Sequence, residues 1–179
     1  MDAIGLNNLK LKIFADGADI KQIENYYKNP LIKGFTTNPT LMKKNGVNNY
    51  EKFAKDVLKT VIEKPISFEI FADESEDIIK QAKYISSWGT NVYVKIPVTN
   101  TKGYFLGDAI ESLSKEGVKL NITAVFTIEQ VKNIFRILDK QTSSIISIFA
   151  GRIADSGIDP VKYFKKYKED LELYPNLDF

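Results

Sequence analysis

The chain has 179 residues, 44% of them apolar, enough to bury one sizeable core, so a single domain over residues 1–179 is expected. A net charge of +2 leaves nucleic-acid binding without an electrostatic footprint. With no histidine and no cysteine, Ser-His and Cys-His catalysis, ordinary zinc sites and disulfides are excluded, and any general acid or base is a carboxylate, a lysine, a tyrosine or water.

Six short apolar runs follow one another: KIFAD, KGFTT, ISFEIF, VYVKIPV, VKLNITAVF and SIISIFAG. Each is followed by a helix signal. After the second run, NNYEKFAKDVLKTVIE carries Tyr50, Phe53, Ala54, Val57, Leu58 and Val61 at the spacing of a core-facing helix. DESEDIIKQAKYISSWG predicts a helix that begins at Asp73 with Glu76 and stops at Gly89. TIEQVKNIFRILDK opens with a capping box, Thr127 with Gln130, and then buries Val131, Ile134, Phe135 and Leu138. IDPVKYFKKY places Pro160 in the first turn of a last helix, and its continuation YFKKYKEDLELY reads as a solvated face. No window approaches eighteen consecutive apolar residues and MDAIGLNNLK lacks the regions of a signal peptide, so a cytosolic chain that does not enter a membrane is expected.

Strands alternating with helices imply an α/β protein with a parallel sheet, either doubly wound or a (β/α) barrel. No glycine-rich phosphate loop follows a strand, which disfavours the nucleotide-binding open sheets. Polar residues gather instead at the strand ends, where barrel enzymes assemble their sites. A typical barrel spends roughly 30 residues on each of eight units, so this chain has room for about six.

The polar residues in or just after the runs are Asp16, Thr37 with Asn38, Glu69, Lys95, Asn121 with Thr123, and Arg152 with Asp155. Each has a structural explanation of its own: a helix cap for Asp16, a turn for TTNP, an exposed strand position for Glu69. Lys95, inside VYVKIPV, either sits at the strand's end with its ammonium in water or is desolvated among apolar neighbours. As a set the residues make chemical sense. Desolvation favours a neutral amine that can attack a carbonyl, while Asp16 and Glu69 could carry protons to and from a carbinolamine and enamine. A guanidinium at Arg152 suits a phosphate. The reading is a Schiff-base enzyme for a phosphorylated sugar.

The segments IFADGAD, GFTTNPTLMKKNG, ISFEIFADE, VYVKIPVTNTKG, GVKLNITAVFT and SIFAGRIADSGIDP resemble, in that order, the transaldolase family, in particular its small transaldolase and fructose-6-phosphate aldolase group. The likeness runs from about residue 12 to residue 160. It implies a class I aldolase-like (β/α)8 TIM barrel that forms a lysine Schiff base, without metal or cofactor. The implied reaction passes a dihydroxyacetone unit between sugar phosphates of the pentose phosphate pathway, namely fructose 6-phosphate, sedoheptulose 7-phosphate, erythrose 4-phosphate and glyceraldehyde 3-phosphate.

By the same resemblance Lys95 is the Schiff-base lysine and Asp16 the carboxylate that works on the hydroxyl proton during carbon-carbon cleavage. Glu69 matches the acid/base carboxylate that, with Thr123, holds a catalytic water. Asn38, with Thr37 beside it in the motif, and Asn121 match the residues that hold the transferred unit, and Arg152 matches a phosphate contact. The aldolase branch carries glutamine in place of Glu69 and tyrosine in place of Phe149, so both positions match the transferase branch. An aldolase-type lyase is the alternative within the class.

The family continues past PNLDF with a seventh and an eighth strand, and the seventh carries part of the phosphate site. The sequence reading therefore expects an incomplete barrel whose first and sixth strands are unpaired edges, and from this a homo-oligomer. It leaves open a truncated chain, a chain complemented by a partner, and an inactive fragment that serves in assembly. It also leaves open whether Lys102 in TNTKG supplies a phosphate contact or is a surface lysine.

Overall fold

A computed structural model describes residues 12–162, 165 and 175–178 of the chain. The chain divides into two compact units, residues up to Glu69 with Ser87–Val92, and Ile70–Ser86 with residues from Tyr93 onward.

In the first unit the order is β1 (Ile13–Asp16), α1 (Ile20–Tyr27), β2 (Ile32–Thr36), α2 (Pro39–Lys44), α3 (Tyr50–Leu58) and β3 (Ile66–Glu69). Side-chain oxygens of Asp19, Asn38 and Asn49 open the three helices by accepting the amides of Gln22, Leu41 and Lys52 at 3.0, 2.9 and 2.9 Å. The strands are parallel, with Asp16 beside Thr36 and Thr36 beside Ser67. Gly34 is required for close approach, because a Cβ there would lie 2.2 Å from the Phe14 ring. The predicted stripe of α3 is the core of this unit: Phe53, Ala54, Val57 and Val61 are buried with Phe35, Ile66 and Phe68.

The second unit runs through α4 (Ser75–Ser86), β4 (Val92–Pro97, from Tyr93), α5 (Gly107–Lys115), β5 (Leu120–Val125), α6 (Ile128–Ile137), β6 (Ser144–Ile148), α7 (Ala150–Asp155) and β7 (Leu177–Asp178). Strands β4 to β7 lie side by side in chain order, each described pair parallel. The capping box of α6 forms as expected, and Val131, Ile134, Phe135 and Leu138 are buried.

Within each unit the parallel strands are joined through helices and follow one another in chain order, which makes this an α/β fold of the partial (β/α) TIM-barrel type. Two expectations are corrected. Strand β6 is not an edge, since Ser144 and Ile145 pair with Leu177 and Asp178. Helix α4 begins at Ser75, and Asp73 is engaged elsewhere, as described below. Most of the helix expected over YFKKYKEDLELY lies outside the described residues. Among the described residues, no helix is long and apolar enough to cross a membrane.

Candidate active site

In the first unit, period-two alternation puts Asp16, Thr36, Ser67 and Glu69 on one face of the sheet, while Phe35, Ile66 and Phe68 go to the other and are buried. The Thr36 hydroxyl donates to Asp16 Oδ1 at 2.8 Å and so orients that carboxylate. Thr37 is fully buried, and its amide and hydroxyl both donate to the Ser67 carbonyl, each at 3.1 Å. Asn38 spends Oδ1 on capping α2, with Pro39 at the first helical position. Glu69 is half-buried at the end of β3. Its carbonyl accepts the Tyr50 hydroxyl at 2.8 Å. Burial first, and then the charge of Glu69, pushes that hydroxyl far above the ordinary tyrosine range, so the phenol stays protonated and donating.

In the second unit, β4 alternates cleanly. Val94, Ile96 and Val98 are buried, whereas Tyr93, Lys95 and Pro97 on the opposite face are only half-buried. Lys95 therefore stands inside the strand, not at its end. It pairs in register with Asn121, as Pro97 does with Thr123, which puts Lys95, Asn121 and Thr123 on one face. Asn121 is 1% exposed and accepts the Ser147 hydroxyl at 2.8 Å. Thr123 is 3% exposed, and its Oγ1 has no hydrogen-bond partner among the described residues. A hydroxyl so deeply buried is ordinarily satisfied, by a bound molecule where the protein supplies no partner.

The Phe149 amide extends the ladder beyond β6, donating to the Val125 carbonyl at 2.9 Å. Its ring meets Phe126 edge-on, with centroids 5.3 Å apart. Arg152 is exposed on α7 and lines an open cavity of about 460 Å³ with Ile148, Phe149, Ala150, Gly151 and Asp155. The loop after β4 is held by Asp73, whose carboxylate accepts the Thr101 amide at 2.8 Å and hydroxyl at 2.6 Å. Those bonds hold the Asp73 carboxyl below the usual carboxylate range. Lys102 is an exposed surface lysine, paired with Glu74 at 2.6 Å, and that bond raises it above the ordinary lysine range.

Thr36 and Ser147 belong to these faces although the sequence reading did not single them out. The signal for Ser147 was available, since alternation along SIISIF gives Ile145, Ser147 and Phe149 one parity, and Ile145 pairs with Asn121. Thr36 was masked by the adjacent Thr37 of the same motif.

Strand-helix units with polar groups at their C-terminal ends define the class of barrel-type α/β proteins. Residues 13–176 match the model of the family described as Transaldolase/Fructose-6-phosphate aldolase. The chain belongs to that family. It is similar to a probable transaldolase of Dehalococcoides mccartyi, 36% identical over 83% of this chain and 65% of the relative. A probable transaldolase 2 of Listeria monocytogenes is 32% identical over 92% of this chain and 71% of the relative. A probable transaldolase of Methanococcus maripaludis is 36% identical over 83% and 65%. The chain thus spans about two thirds of the length of the curated relatives it matches.

Proposed function

We propose that the chain performs transaldolase-type chemistry, moving a dihydroxyacetone unit between sugar phosphates through a Schiff base on Lys95. The observation that carries this reading is the face of β4 and β5. A half-buried lysine lies in register with a buried asparagine, and two residues further on stands a buried hydroxyl without a partner among the described residues.

In this mechanism the Lys95 amine adds to the ketose carbonyl, and loss of water from the carbinolamine gives an iminium ion. The iminium accepts the electron pair of the adjacent carbon-carbon bond as it breaks, releasing an aldehyde and leaving an enamine. The enamine adds to the acceptor aldehyde, and hydrolysis of the new iminium frees Lys95. Asp16 takes the hydroxyl proton as the carbon-carbon bond breaks, and its bond from Thr36 fixes the oxygen that does so. Glu69 serves as the second proton carrier. Thr123 Oγ1 holds the water lost and regained at the iminium carbon. Asn121, oriented by Ser147, and Asn38, placed by the buried Thr37 beside it, hold the transferred unit, and Arg152 holds a phosphate.

Transfer is favoured over release of free dihydroxyacetone because Phe149 has no hydroxyl to protonate the enamine. The pentose phosphate pathway and a cytosolic setting belong to the same reading and are supported by the family alone. The test is a transfer assay with fructose 6-phosphate and erythrose 4-phosphate. Lys95→Met is expected to abolish turnover while the circular dichroism spectrum is unchanged. Turnover by a folded Lys95→Met variant at the wild-type rate contradicts the assignment.

A further inference from the structure

Strand β5 contains an irregularity beside Thr123. Its register with β6 runs Ile122 to Ile146 and then Val125 to Ile148, so Thr123 and Ala124 together oppose the single Ser147. This is a β-bulge, and Ala124 has φ 56°, the one non-glycine residue with positive φ among the described residues. The bulge is pinned on both sides. The Thr123 carbonyl accepts the Val98 amide at 2.9 Å, and the Val125 carbonyl accepts the Phe149 amide at 2.9 Å.

One inserted residue exchanges the faces of everything after it. Val125 therefore joins Leu120 and Ile122 on the buried face, all three fully buried, and Phe126 emerges on the face of Asn121 and Thr123, where its ring meets Phe149. In an unbroken strand Val125 would take the polar face and Phe126 would be driven toward the core.

We propose that Ala124 is a positioning residue: its left-handed bulge sets the Thr123 hydroxyl on the Lys95 face and stands Phe126 against Phe149 to wall that face. The backbone is held in a conformation alanine does not favour, at the place where the strand passes from Lys95-facing polar residues to an aromatic pair. For Thr123 the consequence for turnover rests on the proposed Schiff-base function. The placement of Phe126 does not.

The experiment is a substitution series in the full chain, read by transfer kinetics and by nuclear Overhauser contacts between the Phe126 and Phe149 rings. Glycine and asparagine accept left-handed backbone, so Ala124→Gly and Ala124→Asn are expected to keep the ring contact and to keep kcat within about threefold. A β-branched side chain does not, so Ala124→Val is expected to lose the contact and to lower kcat by about 100-fold, the scale of a misplaced proton-transfer group. Thr123→Ala is expected to match that loss, and combining it with Ala124→Val to add little. If the valine variant fails to fold, the asparagine variant decides, and its loss of the ring contact in a folded protein overturns the proposal. An Ala124→Val protein with the ring contact and kcat intact overturns it equally. If the wild type transfers nothing, the functional reading fails and the ring contacts alone decide the role of Ala124.

Discussion

The Tyr50 hydroxyl acts only as a donor, because ionising it would place a second negative charge, in a buried position, near Glu69. Its ring packs edge-on against Phe68 and Trp88, with centroids 6.2 and 5.4 Å away, so the hydroxyl arrives at the Glu69 carbonyl with little freedom. Tyr50→Phe removes that bond and is expected to cost about 1–2 kcal/mol in chemical denaturation. The pH dependence has a definite sign. The folded-state pKa lies above the unfolded value of about 10, so the contribution of Tyr50 is whole below pH 10 and is lost as pH rises beyond it. Wild-type stability should fall more steeply than that of Tyr50→Phe above pH 10, and equal slopes would contradict the assignment. At this scale the sequence revealed charged and amide groups inside apolar runs, because burying them is costly and so conspicuous. It did not reveal Thr36, Ser147 or Ala124. Threonine and serine are ordinary in strands, and nothing in the letters around Ala124 marks a positive φ.

Among the elements, the loop after β4 shows how much of the local order depends on partners distant in sequence. Asn100 organises the turn from within, its Oδ1 accepting the amides of Lys102 and Tyr104 at 3.1 and 2.9 Å. Asp73 fastens the turn from 28 positions away through both of its carboxylate oxygens. Since the Thr101 bonds depress the Asp73 pKa, the tether is fully present above the unfolded carboxyl value of about 4 and is lost as pH falls through the lower folded value. The Thr101 amide resonance should therefore titrate with a midpoint below 4, and the transition should vanish in Asp73→Asn. A midpoint at or above 4 would remove the tether from the account. The sequence assigned Asp73 to the start of α4 because aspartate three residues before a glutamate is a good local cap, and a partner in another loop leaves no local trace. The α6 capping box was legible for the converse reason, since both of its partners lie within four residues. Strand β7 has two residues and no room for a period, so it could not be read.

For the molecule as a whole, the β/α alternation was legible from β1 to β6 because these strands are short apolar runs and helices such as α3 and α6 carry an apolar stripe. The parallel pairing followed from that alternation. Within each unit the parallel strands give the polar residues a common direction, since residues in register project to the same face, as Asp16 with Thr36 in the first unit and Lys95 with Asn121 in the second. The central claim is that Lys95 forms the covalent bond, and trapping tests it most directly. The full chain is incubated with fructose 6-phosphate and reduced with borohydride, and the adduct is located by peptide mass spectrometry. The account predicts one substrate-dependent adduct, on Lys95, and none in Lys95→Met. A folded chain that yields no adduct, or an adduct on a different lysine that persists in Lys95→Met, would contradict it.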